Sequence, residues 1–271
     1  MRSERRPTAP YLIPPIARWL GCHRIDLEEC TSTNDEAGRL ARAGARHGTV
    51  VIASSQTAGR GRDGRSWSSP PGFGLYLSAV LRSPLPLQDV PPMTLAIGIG
   101  LCDAIRATGV EASLKWPNDA LVDGKKLAGV LVEAQSQGSR LEAVVIGIGV
   151  NIAGEIPPAI AGIATTLEDA SGKPIDREAF IAALLAYVER WVDRYVAMGL
   201  EEIIPEWTDR MAVGLSARAT IDGSALTGEV YGLADDGALI LRDGDGALHR
   251  VRSGDVEVIR ATTESGQSAQ L

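Results

Sequence analysis

The stretch Ala58-Gly59-Arg60-Gly61-Arg62-Asp63-Gly64-Arg65-Ser66-Trp67 constrains this chain more than any other. Three glycines and three arginines fall within seven residues, shortly after the apolar run Thr49-Val50-Val51-Ile52-Ala53. Glycine at every second or third position removes the Cβ barrier to positive φ, so the backbone can wrap a ligand and aim N–H groups at it. The arginines add planar forks suited to phosphate or carboxylate. The pattern predicts a loop that closes over an anionic small molecule. Gly/Arg runs also occur as disordered segments that hold nucleic acid by charge, but this one is short, lies between two expected strands and ends in Trp-Ser-Ser-Pro-Pro-Gly. It is not a Walker loop, since no Gly-Lys-Ser/Thr follows, and it is not a dinucleotide fingerprint opening a helix.

The 271 residues are 45% hydrophobic and 23% charged, which suits a globular protein of one large or two modest domains. A net charge of −7 argues against non-specific nucleic-acid binding, which needs a positive field. Cys22, Cys30 and Cys102 are odd in number and lack metal-ligand spacing, as expected in a reducing cytoplasm. No apolar run reaches the roughly 18 to 20 residues of a membrane span, and Met1 to Pro10 lacks the apolar core of a signal peptide. No membrane association is therefore expected. His23, His47 and His249 are scattered and read as surface residues.

Residues 1–24 are rich in Pro and Arg and read as an arm with a brief helix around Tyr11 to Leu20. Thr33 with Glu36 reads as a capping box opening a helix that Gly48 ends. Strands are expected at Thr49 to Ser55 and Gly74 to Leu81, and a helix from Met93 to Thr108 behind Pro91-Pro92. Four further strands, Ala112 to Trp116, Ala120 to Val122, Leu127 to Ala134 and Leu141 to Ile152, are joined by tight turns, with Asp123-Gly124 favouring a type I′ hairpin. Asp176 to Met198 is a long amphipathic helix whose aromatic residues read as core. Beyond Pro205 the composition shifts to short apolar runs split by Asp-Gly pairs, the mark of a small β-meander or barrel of about five strands. The expectation is an α+β fold with a mixed, mostly antiparallel sheet flanked by helices. It divides into an arm (1–24), a main domain (25–212), a small β-domain (213–261) and a disordered tail (262–271).

A second constellation, Lys115-Trp116-Pro117-Asn118-Asp119, ends one strand, and the next hairpin can bring Lys126 back toward Asn118. A lysine there could bridge a carboxylate and a phosphate and stabilise the charge that builds in nucleotidyl transfer. Periodicity alone favours a solvated hairpin tip for Lys125 and Lys126. Taken in order, Ser32-Thr33-Asn34, Gln56, the Gly/Arg loop through Trp67, the Lys-Trp-Pro-Asn-Asp segment, Lys126-Leu-Ala-Gly129-Val-Leu-Val-Glu133 and Gly147-Ile-Gly-Val-Asn151 closely resemble the biotin protein ligases, from about residue 25 to 260.

That resemblance implies a class II synthetase-like catalytic domain with a small SH3-like β-barrel behind it. It also implies a two-step reaction in which biotin and Mg-ATP give biotinyl-5′-AMP and pyrophosphate, and biotin then passes to a lysine of a biotin carboxyl carrier domain. Mg-ATP and biotin are the substrates, with a magnesium ion and no tightly bound prosthetic group. The biotin pocket is expected to comprise Ser32, Thr33, Asn34, Gln56, Gly59, Arg60, Gly61, Arg62, Lys126 and Gly129. The nucleotide is expected at Arg62, Arg65, Trp67, Asn118, Lys126 and Asn151, with Lys126 as the main electrostatic catalyst, Arg62 retaining the adenylate, and Asp119 placing magnesium or the acceptor amine. Family loops often carry Arg-Arg-Gly where this chain has Arg62-Asp63-Gly64; Asp63 is expected to face solvent. Some members carry an N-terminal helix-turn-helix domain that binds DNA, but only about 30 residues precede Ser32 here, so a monofunctional ligase is expected. Homodimerisation stays open. A lipoate-protein ligase is the nearest alternative enzyme, and a non-catalytic module that senses biotin or its adenylate is the alternative of another class.

Overall fold

The computed structural model describes residues 16–212, 216–221, 224–252 and 256–259. The chain divides into two compact units after Arg210.

In the first unit the order is β1 (His23–Cys30), α1 (Thr33–Arg42), β2 (Thr49–Gln56), β3 (Gly74–Leu81), α2 (Met93–Arg106), β4 (Ser113–Lys115), β5 (Asp119–Val122), β6 (Lys125–Gln137), β7 (Arg140–Asn151), α3 (Leu167–Ser171), α4 (Arg177–Met198) and α5 (Leu200–Arg210). The seven strands form one sheet in the order β1-β2-β3-β7-β6-β5-β4. Only β1 and β2 run parallel; the remaining pairs are antiparallel. Asp123 and Gly124 both adopt positive φ, as the type I′ hairpin between β5 and β6 requires.

Every residue of β3 is buried, so the sheet is covered on both faces. Ala37 and Ala41 of α1 pack on Val51, Val80, Ala143 and Val145 of one face. α2 packs against the other and α4 packs on α2, with Ile97, Leu101, Leu184, Val188 and Trp191 withdrawn from solvent. The aromatic stripe of α4 is core, as its periodicity predicts. No helix of the described residues is long and apolar enough to cross a membrane.

Four elements differ from the sequence reading. The described part of the expected N-terminal helix, residues 16–20, is irregular, with bends at Arg18 and Trp19 and a turn at Leu20. Its backbone N–H groups serve a carboxylate instead of a helix ladder: Glu189, only 2% exposed, accepts from Arg18, Trp19 and Leu20 at 2.8–2.9 Å. β1 follows, a strand not expected from the sequence, which overlaps the expected arm only at His23 and Arg24. The capping box does not form, because Ser32 is the N-cap of α1 and the Thr33 hydroxyl is engaged with Gln56 and Ser78. The helix ends at Arg42, with Gly44 at φ 87°, and not at Gly48. Finally, α5 follows where no helix was expected, with Pro205 inside it, and Ile203 and Trp207 beside the proline are fully buried. Burying a tryptophan there outweighs the helix hydrogen bond a proline forgoes.

The second unit carries β8 (Ser216–Ile221), β9 (Ser224–Leu233), β10 (Leu239–Arg242), β11 (Leu248–Val251) and β12 (Val256–Ile259). These pair antiparallel in the order β11-β10-β9-β8-β12. Ala217, Ala219, Val230, Leu239, Leu241, Val251 and Val256 form its core. The Asp-Gly punctuation marks real turns: Asp236 accepts from Ala238 N–H, and Asp243 from Asp245 and Ala247 N–H. The expected tail at 262–271 and the arm before residue 16 lie outside the described residues.

Candidate active site

Side chains alternate faces along a strand, and cross-strand partners share a face. Gly147 and Gly149 of β7 and Gly129 of β6 therefore open a hollow on the face that α1 covers, with Ser78 opposite Gly147 and Asp119 opposite Gly129. The hollow exists because these residues lack a Cβ. A Cβ at Gly147 would stand 2.2 Å from Asn34 Oδ1, and one at Gly149 2.5 Å from the Trp67 ring. This gives Gly147-Ile-Gly149 its physical meaning: two close approaches, one by the start of α1 and one by the end of the Gly/Arg loop.

The start of α1 brings Ser32, Thr33 and Asn34 together, all nearly fully buried. The Gln56 carboxamide oxygen accepts from Thr33 N–H (2.8 Å) and the Thr33 hydroxyl (3.1 Å), while Gln56 Nε2 donates to Ser69 Oγ (2.8 Å). Ser78 Oγ lies 2.7 Å from Thr33 Oγ1 and 2.6 Å from Asn34 Oδ1. Asn34 Nδ2 donates to Glu133 Oε2 at 2.7 Å. Buried donors and acceptors fixed in this way are suited to a polar ring of small size. The thiol of Cys30, two residues before Ser32, is pushed up to about 11 by burial first and then by Glu36, Asp35 and Glu29; it stays protonated near neutral pH.

The Gly/Arg loop folds back on itself. Trp67 N–H donates to Gly59 C=O, Gly61 N–H to Arg65 C=O, and Arg60 bridges Ser66. At the tip Asp63 has φ 54°, ψ 36° and Gly64 φ 74°. The left-handed region tolerates aspartate far better than arginine, so the departure at position 63 suits the turn. The Asp63 side chain is 61% exposed, with Arg62 and Arg65 at 4.0 and 3.7 Å. Residues 60–65 and Leu131, Val132 and Glu133 of β6 line a cleft of about 380 Å³.

Lys126 completes the hollow. Its Nζ lies 2.7 Å from Asp119 Oδ1 and 5.1 Å from the centre of the Trp67 ring. Its backbone N–H donates to Ile163 C=O and its C=O accepts from Thr165 N–H. Lys126 is thus half-buried and held on both sides, not a solvated hairpin tip; Lys125 beside it is exposed. Lys115 Nζ stands 3.9 Å from Asp119 Oδ2. Trp67 Nε1 is buried without a hydrogen-bond partner among the described residues, a donor left for something that enters the hollow.

The two asparagines are placed differently. Asn118 Nδ2 donates to Val130 C=O (2.7 Å), and Asn151 Nδ2 to Thr165 C=O (3.1 Å). Each thereby ties down backbone beside the hollow. Asp119, set between two lysines, acts as their counter-ion, and no group of three or more His, Cys, Asp or Glu side chains able to hold a metal occurs among the described residues. Ser78 and Glu133 were not singled out by sequence reasoning. The signals were a lone serine within a wholly apolar strand and a carboxylate on the inward-facing alternation Gly129, Leu131, Glu133.

Comparison with known proteins identifies the class first. The Biotin/lipoate A/B protein ligase family matches residues 28–151, which carry the Gly/Arg loop, the glycine hollow and Lys126. The Biotin protein ligase C terminal domain matches residues 218–258, on the five-stranded sheet. Over 244 residues the chain is 36% identical to the bifunctional ligase/repressor BirA of Bacillus subtilis, covering 88% of this chain and 75% of that one. It is 35% identical to the biotin–[acetyl-CoA-carboxylase] ligase of Paracoccus denitrificans, covering 80% and 92%. The biotin protein ligase from Aquifex aeolicus, solved in complex with biotin and ATP, superposes with a TM-score of 0.76 at 29% identity, over 89% of this chain and 100% of that one. The chain belongs to the biotin protein ligase family.

Proposed function

We propose that this chain activates biotin with ATP and transfers it to a lysine of a biotin carboxyl carrier domain in a biotin-dependent carboxylase such as acetyl-CoA carboxylase. In the first step a biotin carboxylate oxygen attacks the α-phosphorus, the bond to the leaving pyrophosphate breaks, and the mixed anhydride biotinyl-5′-AMP forms. In the second step the uncharged ε-amine of the carrier lysine attacks the acyl carbon, AMP leaves and the amine gives up a proton. The first step brings two anions into contact, which demands fixed positive charge in a site shielded from water. The observation that carries the reading is the Lys126 ammonium held at the rim of the glycine hollow, with Trp67 on one side and the buried Thr33–Asn34–Gln56–Ser78 network in the same hollow.

Within that reading, Ser32, Thr33, Asn34 and Gln56 receive the ureido ring of biotin, with Gly59, Gly61 and Gly129 giving close backbone approach. Lys126 meets both the carboxylate and the α-phosphate. Arg60 and Arg62 close on the acyl-phosphate, and Arg65 faces the pyrophosphate. Trp67 packs near the adenine, while Asn118 and Asn151 act through the backbone they hold. Magnesium arrives with the ATP phosphates, since Asp119 is already matched by two ammonium groups. Three free cysteines support a reducing, cytoplasmic setting.

The test is incubation of the chain with biotin, Mg-ATP and a purified carrier domain, read by mass spectrometry of the carrier. One added biotinyl group per carrier is expected. Transfer of lipoate to its own carrier domain, with none of biotin, would move the chain to the sister activity.

A further inference from the structure

Glu133 stands where the hollow meets the loop cleft. Its Oε2 accepts from Asn34 Nδ2 at 2.7 Å and from Arg60 Nη2 at 3.0 Å. The same Arg60 nitrogen lies 2.8 Å from Asp35 Oδ1. Asn34 is 5% exposed and belongs to the pocket network, whereas the Arg60 side chain is 43% exposed and belongs to the loop. One carboxylate oxygen therefore joins the buried wall of the pocket to the first arginine of the loop.

Stability does not account for this arrangement. A half-exposed ion pair contributes little, about 0–1 kcal/mol, and an inward-facing carboxylate on β6 costs desolvation that leucine or valine would avoid. What the carboxylate does fix is orientation. An acceptor-only group demands the N–H side of the Asn34 amide, which turns the amide oxygen toward Ser78. A glutamine at 133 could present either a donor or an acceptor and would leave the Asn34 amide free to turn over. The negative charge also draws Arg60 back against β6, at the edge of the cleft that Arg60 and Glu133 both line.

We propose that Glu133 is a positioning residue: it sets the amide face that Asn34 offers to biotin and couples filling of that pocket to the placement of Arg60. This rests on the function proposed above. The pocket and the loop are then one unit, and loss of the carboxylate weakens biotin use while leaving ATP use intact.

The experiment is biotin-dependent ATP–pyrophosphate exchange by the full chain, comparing wild type with Glu133→Gln, Arg60→Ala and the double variant, with thermal melting of each. Glu133→Gln should raise the KM for biotin about tenfold, the loss of one charge-assisted contact, with the KM for ATP within about twofold and an unchanged melting transition. Arg60→Ala should cost less in the Glu133→Gln background than alone, because the two side chains act together. An active Glu133→Gln variant with a wild-type biotin KM, or strictly additive effects, would overturn the inference alone. If Glu133→Gln loses its native transition, the cycle of Asn34→Ala with Arg60→Ala decides the matter: coupled effects support the inference and additive effects overturn it. A wild-type chain with no biotin-dependent exchange overturns both this inference and the function it rests on.

Discussion

The Lys126 ammonium lies 2.7 Å from the Asp119 carboxylate on the neighbouring strand. Lysine on a four-carbon stem is otherwise free to move. Here a carboxylate, an indole face at 5.1 Å and two backbone hydrogen bonds to residues 163 and 165 hold it at the mouth of the hollow. The protein's own groups fix the positive charge, which is the condition for electrostatic stabilisation without reorganisation.

The glycine hollow can be tested by filling it. Gly149→Ala puts a methyl group 2.5 Å from the Trp67 ring, and Gly147→Ala puts one 2.2 Å from Asn34 Oδ1. Both substitutions leave the strand able to form, so the ring and the amide must move. Gly147→Ala should raise the KM for biotin about tenfold or more, whereas Gly149→Ala should act mainly through Trp67 and Lys126 on turnover. Steady-state exchange kinetics with each substrate varied separate the two effects.

Ser78 is wholly buried and its hydroxyl serves both Thr33 and Asn34. Ser78→Ala removes the single hydroxyl proton, leaving the Asn34 carboxamide oxygen without that donor and the Thr33 hydroxyl without its neighbour, at a cost of about 1–3 kcal/mol. Urea unfolding should show that loss, and biotin titration of the folded variant should show weaker binding with ATP binding unchanged.

Glu189 provides a pH-dependent anchor. Burial alone would raise its pKa, but the N–H groups of Leu20, Trp19 and Arg18 and the Arg18 guanidinium hold it below the usual carboxylate range. A depressed folded pKa means the contribution is fully present above the unfolded value, near 4.3, and is lost as the pH falls through the lower folded value. Glu189→Gln should therefore destabilise the chain by roughly 2 kcal/mol at neutral pH. The gap to wild type should narrow below about pH 4. Urea midpoints at pH 7 and pH 3 give the comparison.

Much of this was legible in the sequence. β3 was read with its observed bounds, and the β5–β6 hairpin followed from Asp123-Gly124, because apolar runs and turn residues report local backbone preference. The Gly/Arg loop is marked as chemistry by residue type, whereas Lys126 stands out only through the family resemblance, because its spacing alone favours a solvated hairpin tip. What the sequence hid were partnerships across long separations. Glu189 holds a segment some 170 residues earlier, and residues 16–20, the described part of an expected helix, are irregular. Thr33 gave up its capping role to bond Gln56 and Ser78, on two other strands. Trp207 pulled Pro205 into a helix that propensity argues against. Glu133 lies beside Asn34 only once β6 crosses the sheet under α1.

The central claim is that Lys126 supplies the charge that allows the biotin carboxylate to meet the α-phosphate of ATP. The most direct measurement is biotin-dependent ATP–pyrophosphate exchange by wild type and Lys126→Ala, with thermal melting of both and lipoate as the alternative acid. The account predicts exchange with biotin and not with lipoate, reduced on the order of a hundred- to a thousandfold in the folded Lys126→Ala chain. Exchange at the wild-type rate in that variant would contradict it.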